Sequence, residues 1–139
     1  MWLLDTNIIS ETHKARPHGA VMAWLRTCPE GSLYLSATTL GEIQRGAEMT
    51  RANNPHKAEE IESWLRELEG SFSVIPADGP VFRCWAKLMH RKSPDLLIDA
   101  LIAATAEVHG LTVATRNVRD FEALGVKVIN PFEAGRPAT

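Results

Sequence analysis

Residues 93–115 read SPDLLIDALIAATAEVHGLTVAT, and this stretch decides the fold class. Ser93 as N-cap, Pro94 as first helical residue and an acid at position 95 predict a helix start. Apolar residues fill most positions up to His109, and Gly110 predicts where the helix ends. The run 111–115 then predicts a short buried strand. A buried helix that leads through a glycine into a buried strand is typical of α/β proteins with a parallel sheet.

The same alternation extends in both directions along the chain. Helical patterns cover residues 6–13, 20–27, 39–52, 57–69 and 79–90. Between and beyond them, short apolar runs predict further strands at Trp2–Leu4, Leu33–Leu35, Phe72–Ile75 and Val126–Ile129. Because helices separate the strands, we expect a parallel sheet covered by helices on both faces. With no repeat or linker visible, we predict a single domain over residues 1–139.

Composition excludes several classes of protein. Of 139 residues, 45% are hydrophobic and 23% are charged, which is the balance of a globular domain rather than a disordered chain or coiled coil. No apolar stretch is long enough to span a membrane, and no signal peptide is visible. Cys28 and Cys84 form no C-x-x-C pair and are expected to be reduced thiols of a cytoplasmic protein. A net charge of −2 argues against a protein that coats nucleic acid, but not against a metal-assisted nucleic-acid site.

Asp99 is the most informative polar residue. It lies among apolar residues in the helix quoted above, where an ionised carboxylate is costly unless a cation or hydrogen-bond donors meet it. No basic residue stands three or four positions away to act as partner. Asp95, one turn earlier, has a simpler role as an acid that complements the helix dipole.

Three other acids follow predicted strands. Asp5 ends the first strand, Glu42 lies just past the second, and Asp120 lies beyond the fourth. Each has a structural alternative. Asp5, or the threonine after it, is a candidate helix cap. Glu42 completes a Thr-x-x-Glu capping box. Asp120 stands three residues after an asparagine that is a candidate N-cap.

Together the four acids point to a metal site. The carboxyl ends of parallel strands share one edge of a sheet, which is where ligands of such sheets bind. Several carboxylates in one cleft raise each other's pKa and favour a bound cation. Oxygen ligands favour Mg²⁺ or Mn²⁺, and the five histidines contain no H-x-x-x-H that would indicate zinc. No nucleotide-binding glycine motif, P-loop or G-x-S-x-G is present.

These motifs, in this order, resemble those of PIN-domain ribonucleases, and in particular the VapC/FitB-type toxins of type II toxin–antitoxin pairs. The resemblance rests on five segments: Leu4–Asn7, Thr39–Ile43 with Gly46, Asp99–Ala104, Thr115–Phe121 and Val128–Pro131.

The resemblance implies a PIN-like three-layer α/β/α sandwich with a five-stranded parallel sheet. It implies Mg²⁺-dependent cleavage of RNA, with Mn²⁺ as an alternative ion, through metal-binding and catalytic acids that map to Asp5, Glu42, Asp99 and Asp120. It also implies a homodimer and a cognate VapB-type antitoxin, which carries the pair onto operator DNA and buries an apolar groove next to the acids. We expect that groove around residues 8–25 and 39–52.

Other polar residues near these motifs are candidates for orienting the acids or contacting substrate: Thr6, Asn7, Thr115 and Asn117. Arg116, Arg119 and Lys92 are candidates for contacting the RNA backbone, with solvated surface charge as the alternative. The stretch Arg91–Asp95 departs from the family pattern and leaves the rim of the site undefined.

Two alternative functions stay open at this stage. A PIN-like chain can be a non-catalytic module that binds RNA or protein, and the same fold class includes metal-dependent phosphatases acting on small phosphate esters. Trp24, Trp64 and Trp85 all fall in predicted helices, where they serve either the core or an interface.

Overall fold

Five short strands form one all-parallel sheet in the computed structural model, which describes residues 1–133. The strands are β1 (Trp2–Leu4), β2 (Leu33–Ser36), β3 (Ser73–Ile75), β4 (Thr112–Ala114) and β5 (Val128–Ile129). Their order across the sheet is β3-β2-β1-β4-β5, which places β1 in the centre. The predicted continuation of the domain to Thr139 lies outside the described residues.

Seven α-helices connect and cover the strands. They are α1 (Thr6–Ile9), α2 (Gly19–Thr27), α3 (Ala37–Arg51), α4 (Pro55–Ser71), α5 (Gly79–Met89), α6 (Leu97–His109) and α7 (Val118–Ala123). Short 3-10 turns occupy Ser10–His13, Pro94–Leu96 and Pro131–Glu133. Within residues 1–133, no helix combines the length and the apolar character needed to cross a bilayer.

The helices form two layers, one on each face of the sheet. Residues of α1 to α4 pack with Leu4 and Leu35 in one core, and residues of α5 to α7 pack with Leu3 and Val113 in the other. Leu3 and Leu4 enter opposite cores because successive side chains of a strand point to opposite faces. The prediction of a three-layer α/β/α sandwich with a five-stranded parallel sheet is therefore confirmed.

The strand order creates a crevice at β1. The chain moves outward from β1 through β2 to β3, then crosses to the other side of β1 for β4 and β5. Connections of one hand that run in opposite directions along a sheet place their helices on opposite faces, which accounts for the two layers. In such sheets the ligand crevice opens at the carboxyl ends of the strands where the direction reverses. Here those strand ends belong to β1 and β4.

Three local expectations differ from the structure. The helix expected over 6–13 is a four-residue α1 followed by a 3-10 turn. Ser93 caps as expected, but it caps the 3-10 turn Pro94–Leu96, and the α-helix begins only at Leu97. The first turn of α6 is also less buried than its apolar sequence predicts, since Leu97 and Ile98 are 43% and 44% exposed.

Candidate active site

Asp5 lies at the carboxyl end of the central strand β1 and is only 4% exposed. Its Oδ1 accepts a hydrogen bond from the backbone N–H of Thr6 (2.8 Å), so it does cap α1 as the structural alternative proposed. Its Oδ2 remains for longer-range partners. Burial raises the pKa of Asp5, while hydrogen bonds from Thr115, Thr6 and Asn7 act in the opposite direction. Local capping and a role in the crevice are thus compatible for this carboxylate.

Thr115 and Asn7 hold the second oxygen of Asp5. The Thr115 hydroxyl donates to Asp5 Oδ2 at 2.7 Å, and Asn7 Nδ2 donates to the same oxygen at 3.2 Å. Thr115 follows β4, the strand next to β1, so this bond joins the ends of the two strands that border the crevice. Its hydroxyl oxygen also accepts from the backbone N–H of Asn117 at 2.9 Å. The Asp5 carboxylate is therefore held in a fixed orientation by groups from two strands.

Glu42 is brought to Asp5 by Thr6. Its Oε1 accepts a hydrogen bond of 2.6 Å from the Thr6 hydroxyl, which also lies 3.3 Å from the hydroxyl of Thr39. The pKa of Glu42 is raised, first by burial and also by the charge of Asp5, against the hydrogen bond from Thr6 and the charge of Arg45.

The capping-box alternative for Glu42 is wrong. The N-cap of α3 is Ser36, whose hydroxyl accepts from the N–H of Thr38, and Thr39 lies buried inside the first turn. Because the helix begins three residues earlier than that alternative requires, Glu42 sits in its second turn and has no backbone N–H to cap.

Asp99 lies in the first turn of α6, half-buried, and faces the other acids. Its pKa is raised to about 6, first by burial and then by the charges of Asp5, Asp120 and Glu42. The charges of the three other acids thus act on the Asp99 carboxyl group. The four residues come from four separate segments of sequence, so only the tertiary structure creates this proximity.

Asp120 is the most exposed of the four acids and lies in the first turn of α7. Asn117 occupies the N-cap position of that helix, but its side chain accepts no capping hydrogen bond. The expected asparagine cap is therefore not made. Asp120 still complements the dipole of α7 from its first turn, and it faces the acidic crevice.

The donor set fits a hard divalent cation. Four carboxylates supply only oxygen atoms, which are the ligands that Mg²⁺ and Mn²⁺ prefer. As the side chains stand, no three His, Cys, Asp or Glu residues within the described part of the chain are arranged to hold a metal ion. Mutual repulsion keeps like charges apart when no cation lies between them, so we expect the carboxylates to draw together around an ion.

A mostly apolar pocket of about 380 Å³ opens beside Glu42. Its walls come from α3, including Thr38 and Arg45, and from Ile98 and Leu101 of α6. Gly41, Glu42 and Arg45 of its lining belong to the segment 39–52, and the predicted antitoxin groove over residues 8–25 and 39–52 stays a prediction. Trp24, Trp64 and Trp85 are each partly buried against one of the two cores, which favours the core alternative for most of their surface.

Phe132 is a neighbour of the site that the sequence did not single out. The guanidinium of Arg116, the residue after Thr115, lies over its ring at 4.6 Å from the centroid. Arg116 itself and Arg119 are exposed, as is Lys92 in the stretch Arg91–Asp95. Asn130 Oδ1 accepts from the N–H of Phe132 (3.0 Å) and fixes the turn that precedes the ring.

The fold and the site define a class: α/β proteins with a parallel sheet covered on both faces, whose carboxylates meet at the strand ends where the strand order reverses. Comparison with known proteins gives the family. The family model described as PIN domain matches residues 2–127, and the chain belongs to this family.

Similar proteins cover almost the whole chain. The chain is 39% identical over 143 residues to a protein of Sinorhizobium fredii named VapC ribonuclease Y4jK, a match that covers 96% of this chain and 99% of the relative. It is 38% identical over 140 residues to Toxin FitB of Neisseria gonorrhoeae, covering 95% and 99%. Among solved structures, a chain of "Structure of FitAB bound to IR36 DNA fragment" superposes with a TM-score of 0.81 at 33% identity, covering 99% of this chain and 100% of that one.

Proposed function

We propose that this protein is the toxin of a type II toxin–antitoxin pair and an endoribonuclease that hydrolyses RNA phosphodiester bonds with Mg²⁺, or Mn²⁺ as substitute. The observation that carries the proposal is the set of contacts at the carboxyl ends of β1 and β4, where Thr115 donates to Asp5 and Thr6 donates to Glu42; burial and the charges of Asp5, Asp120 and Glu42 raise the pKa of Asp99 beside them. A cluster of acids that disfavours its own ionisation is suited to bind a cation and, through it, an anionic substrate. Relatives named VapC ribonuclease and Toxin FitB support the RNA substrate and the toxin role.

Asp5 and Asp99 are the proposed principal ligands of the ion, and Glu42 and Asp120 complete the catalytic pocket directly or through water. With Mg²⁺ held by these residues, the site would gain a water activated for attack on phosphorus and a positive charge beside the leaving oxygen.

The surrounding residues keep the acids in place. Thr115 and Asn7 fix Asp5 through its Oδ2, and Thr6 fixes Glu42 through its Oε1. Groups of this kind orient metal ligands, and their loss commonly weakens metal binding by about 10- to 100-fold. Asn117 adds its backbone N–H to the Thr115 hydroxyl, so the loop after β4 takes part in the same arrangement.

The proposed partners follow from the same relatives. The solved structure titled FitAB bound to a DNA fragment supports a VapB-type antitoxin that joins this toxin and carries it onto operator DNA. We also propose that the free toxin is a homodimer. RNA and operator DNA are the targets of the pair, so the proposed function places the protein in the cytoplasm.

A cleavage assay with matched substrates tests the proposal. The purified chain is incubated with single-stranded RNA and with a small phosphate monoester, each with Mg²⁺ and with chelator. An Asp99→Asn protein purified in the same way serves as control for contaminating nucleases. We expect RNA cleavage that needs Mg²⁺ and is lost in the variant.

Each other outcome of the assay would assign a different function to the chain. Cleavage of the small ester alone would make the chain a phosphatase, and RNA binding without cleavage would make it a non-catalytic module. RNA cleavage of equal rate in chelator would refute the metal mechanism.

A further inference from the structure

Arg116 is attached to the acidic crevice through its backbone. Its N–H donates to Asn7 Oδ1 at 3.1 Å, and the same Asn7 side chain donates through Nδ2 to Asp5. The residue before it, Thr115, also donates to Asp5. The start of the Arg116 side chain is therefore fixed by the two residues that orient a proposed metal ligand.

The far end of the Arg116 side chain is fixed by a ring. Its guanidinium lies 4.6 Å from the centroid of Phe132, a buried residue whose N–H is bonded to Asn130. The imidazole of His18 contacts the same ring at 4.8 Å and an interplanar angle of 60°. The ring thus contacts two side chains and packs in the core that contains Leu4 and Leu35, so it is a fixed platform for the arginine.

Glu11 ties this platform to the loop before α2. The Glu11 carboxylate is buried, accepts from the N–H of His18 at 2.9 Å, and pairs with Lys14. The loop 13–18 also carries the exposed cation Arg16. A second exposed cation therefore lies two residues from the His18 that contacts the Phe132 ring.

A guanidinium that lies over a ring keeps its N–H donors in the plane, pointing away from the ring and available to an anion. In the part of the chain that the structure describes, Arg116 forms no salt bridge with any carboxylate. Arg116 is thus held in place beside the proposed metal site without a carboxylate partner among the described residues. A polyanion could therefore contact the arginine and the metal site at the same time.

We propose that Arg116, held by Phe132 and Asn7, binds a backbone phosphate of the RNA next to the phosphate that is cleaved. The inference rests on the proposed ribonuclease function and adds to it a substrate-positioning site that includes Phe132 and His18. Contacts to phosphate set the register of a nucleic acid on a protein. The arginine therefore determines which bond reaches the acids without taking part in the cleavage itself.

RNA binding measures this role separately from cleavage. The Asp99→Asn protein, in Mg²⁺, is titrated into a fluorescent single-stranded RNA at several salt concentrations, alone and with further substitutions. Arg116→Ala is expected to weaken binding about tenfold and to lower the salt dependence by about one phosphate contact. Arg116→Lys keeps the charge but not the planar guanidinium with its forked N–H donors, so the salt dependence should be preserved while affinity is only partly recovered. Arg83→Ala, on α5 in the opposite layer, is the charge-matched control and should bind as the parent does.

A second measurement uses the cleaving protein. With Asp99 intact, Arg116→Ala should raise KM for RNA about tenfold and leave kcat within about twofold of the parent. Phe132→Leu should reproduce the effect of Arg116→Lys on binding, with thermal unfolding used to check that the variant is folded.

Several results would overturn the inference. Arg116→Ala that binds RNA as tightly as Arg83→Ala would exclude a phosphate site. If Arg116→Ala cleaves RNA normally but resists inhibition by the antitoxin, the arginine serves the antitoxin instead. RNA binding that depends on Arg116 in a protein that never cleaves RNA would refute the ribonuclease function and leave this site standing.

Discussion

Replacement of Asp99 by Asn should stabilise the metal-free protein while abolishing RNA cleavage. The pKa of Asp99 lies near 6 instead of its ordinary 3.8. At about 1.4 kcal/mol per unit, that difference makes ionised Asp99 unfavourable by up to ~3 kcal/mol in the folded state. Half of the side chain faces solvent, and screening reduces the effect to ~1.5 kcal/mol. The acid also complements the dipole of α6, which restores ~0.5 kcal/mol. The expected net gain is ~1 kcal/mol, or a rise in Tm of about 3–5 °C for a chain of this length.

The sign of the pH dependence follows from the direction of the shift. A raised pKa in the folded state means that wild-type stability falls as the pH rises from about 4 to 6, relative to the variant. Below pH 4 the residue is neutral in both the folded and unfolded states, so the two proteins should unfold with a nearly constant difference there. Above pH 6 the full difference should be reached and then stay level.

Thermal unfolding in chelator, from pH 4 to pH 8, measures this difference. Asp95→Asn removes an exposed acid four residues earlier and should change Tm by less than about 1 °C at every pH. Added Mg²⁺ should raise the Tm of the wild type but not that of Asp99→Asn, because only the wild type binds it through this carboxylate. A Tm of Asp99→Asn at or below that of the wild type at pH 7.5 in chelator would show that the acids do not repel one another as argued.

Further predictions concern the other members of the site and the partners. Glu42→Gln keeps an oxygen that accepts from Thr6, so Tm should stay within about 2 °C while RNA cleavage falls at least about tenfold; retained activity would remove Glu42 from the metal site. Thr115→Val removes the donor to buried Asp5 and should cost ~1–3 kcal/mol, with Mg²⁺ affinity lowered about 10- to 100-fold, as measured by denaturant unfolding and metal titration. Light scattering should give twice the chain mass for the free toxin, and a monomeric mass would refute the dimer. Antitoxin should inhibit less at high Mg²⁺, since a basic antitoxin side chain competes with the ion for the same carboxylates.

The fold could be predicted because its signals are local and repeated. Apolar runs indicate each strand, and helical periodicity indicates most helices. The end of α6 at Gly110 and the start of α4 at Pro55 follow from the backbone preferences of glycine and proline. Local signals do not specify the helix boundaries where tertiary contacts decide them. Helix α3 begins directly after β2 because Ser36, the last residue of the strand, also caps the helix. The sequence also contains Thr39 as a candidate cap, and the structure excludes it because Ser36 caps the helix and Thr39 lies inside its first turn.

The acids and the polar residues that hold them could be named from sequence, but the particular hydrogen bonds among them could not. Asp99 is conspicuous in the sequence because an ionised carboxylate in an apolar helix is unfavourable unless a cation or hydrogen-bond donors contact it. Thr6 and Asn7 follow Asp5 directly, so their candidacy needed only proximity in sequence. Phe132 gave no comparable signal, because one aromatic residue after a turn has the same pattern whether it packs in the core or carries an arginine. The contact joins Arg116, which precedes β5 in the sequence, to Phe132, which follows β5. Only the packed structure specifies this contact.

The design of the site links catalysis to stability through one electrostatic conflict. Five short strands and the helices that cover them bury Asp5 and half-bury Asp99, and this burial makes both charges unfavourable. Hydrogen bonds from Thr115, Asn7 and Thr6 compensate for part of that burial, and they do so at Asp5 and Glu42 only. At Asp99, burial and repulsion from three acids both disfavour the charged carboxylate. A bound cation would be the strongest compensation available to it. Under the proposed function, we therefore expect the carboxylate least satisfied by the protein to gain most from Mg²⁺. If the protein itself stabilised the ionised carboxylate of Asp99, the folded protein would be more stable and the proposed metal site weaker.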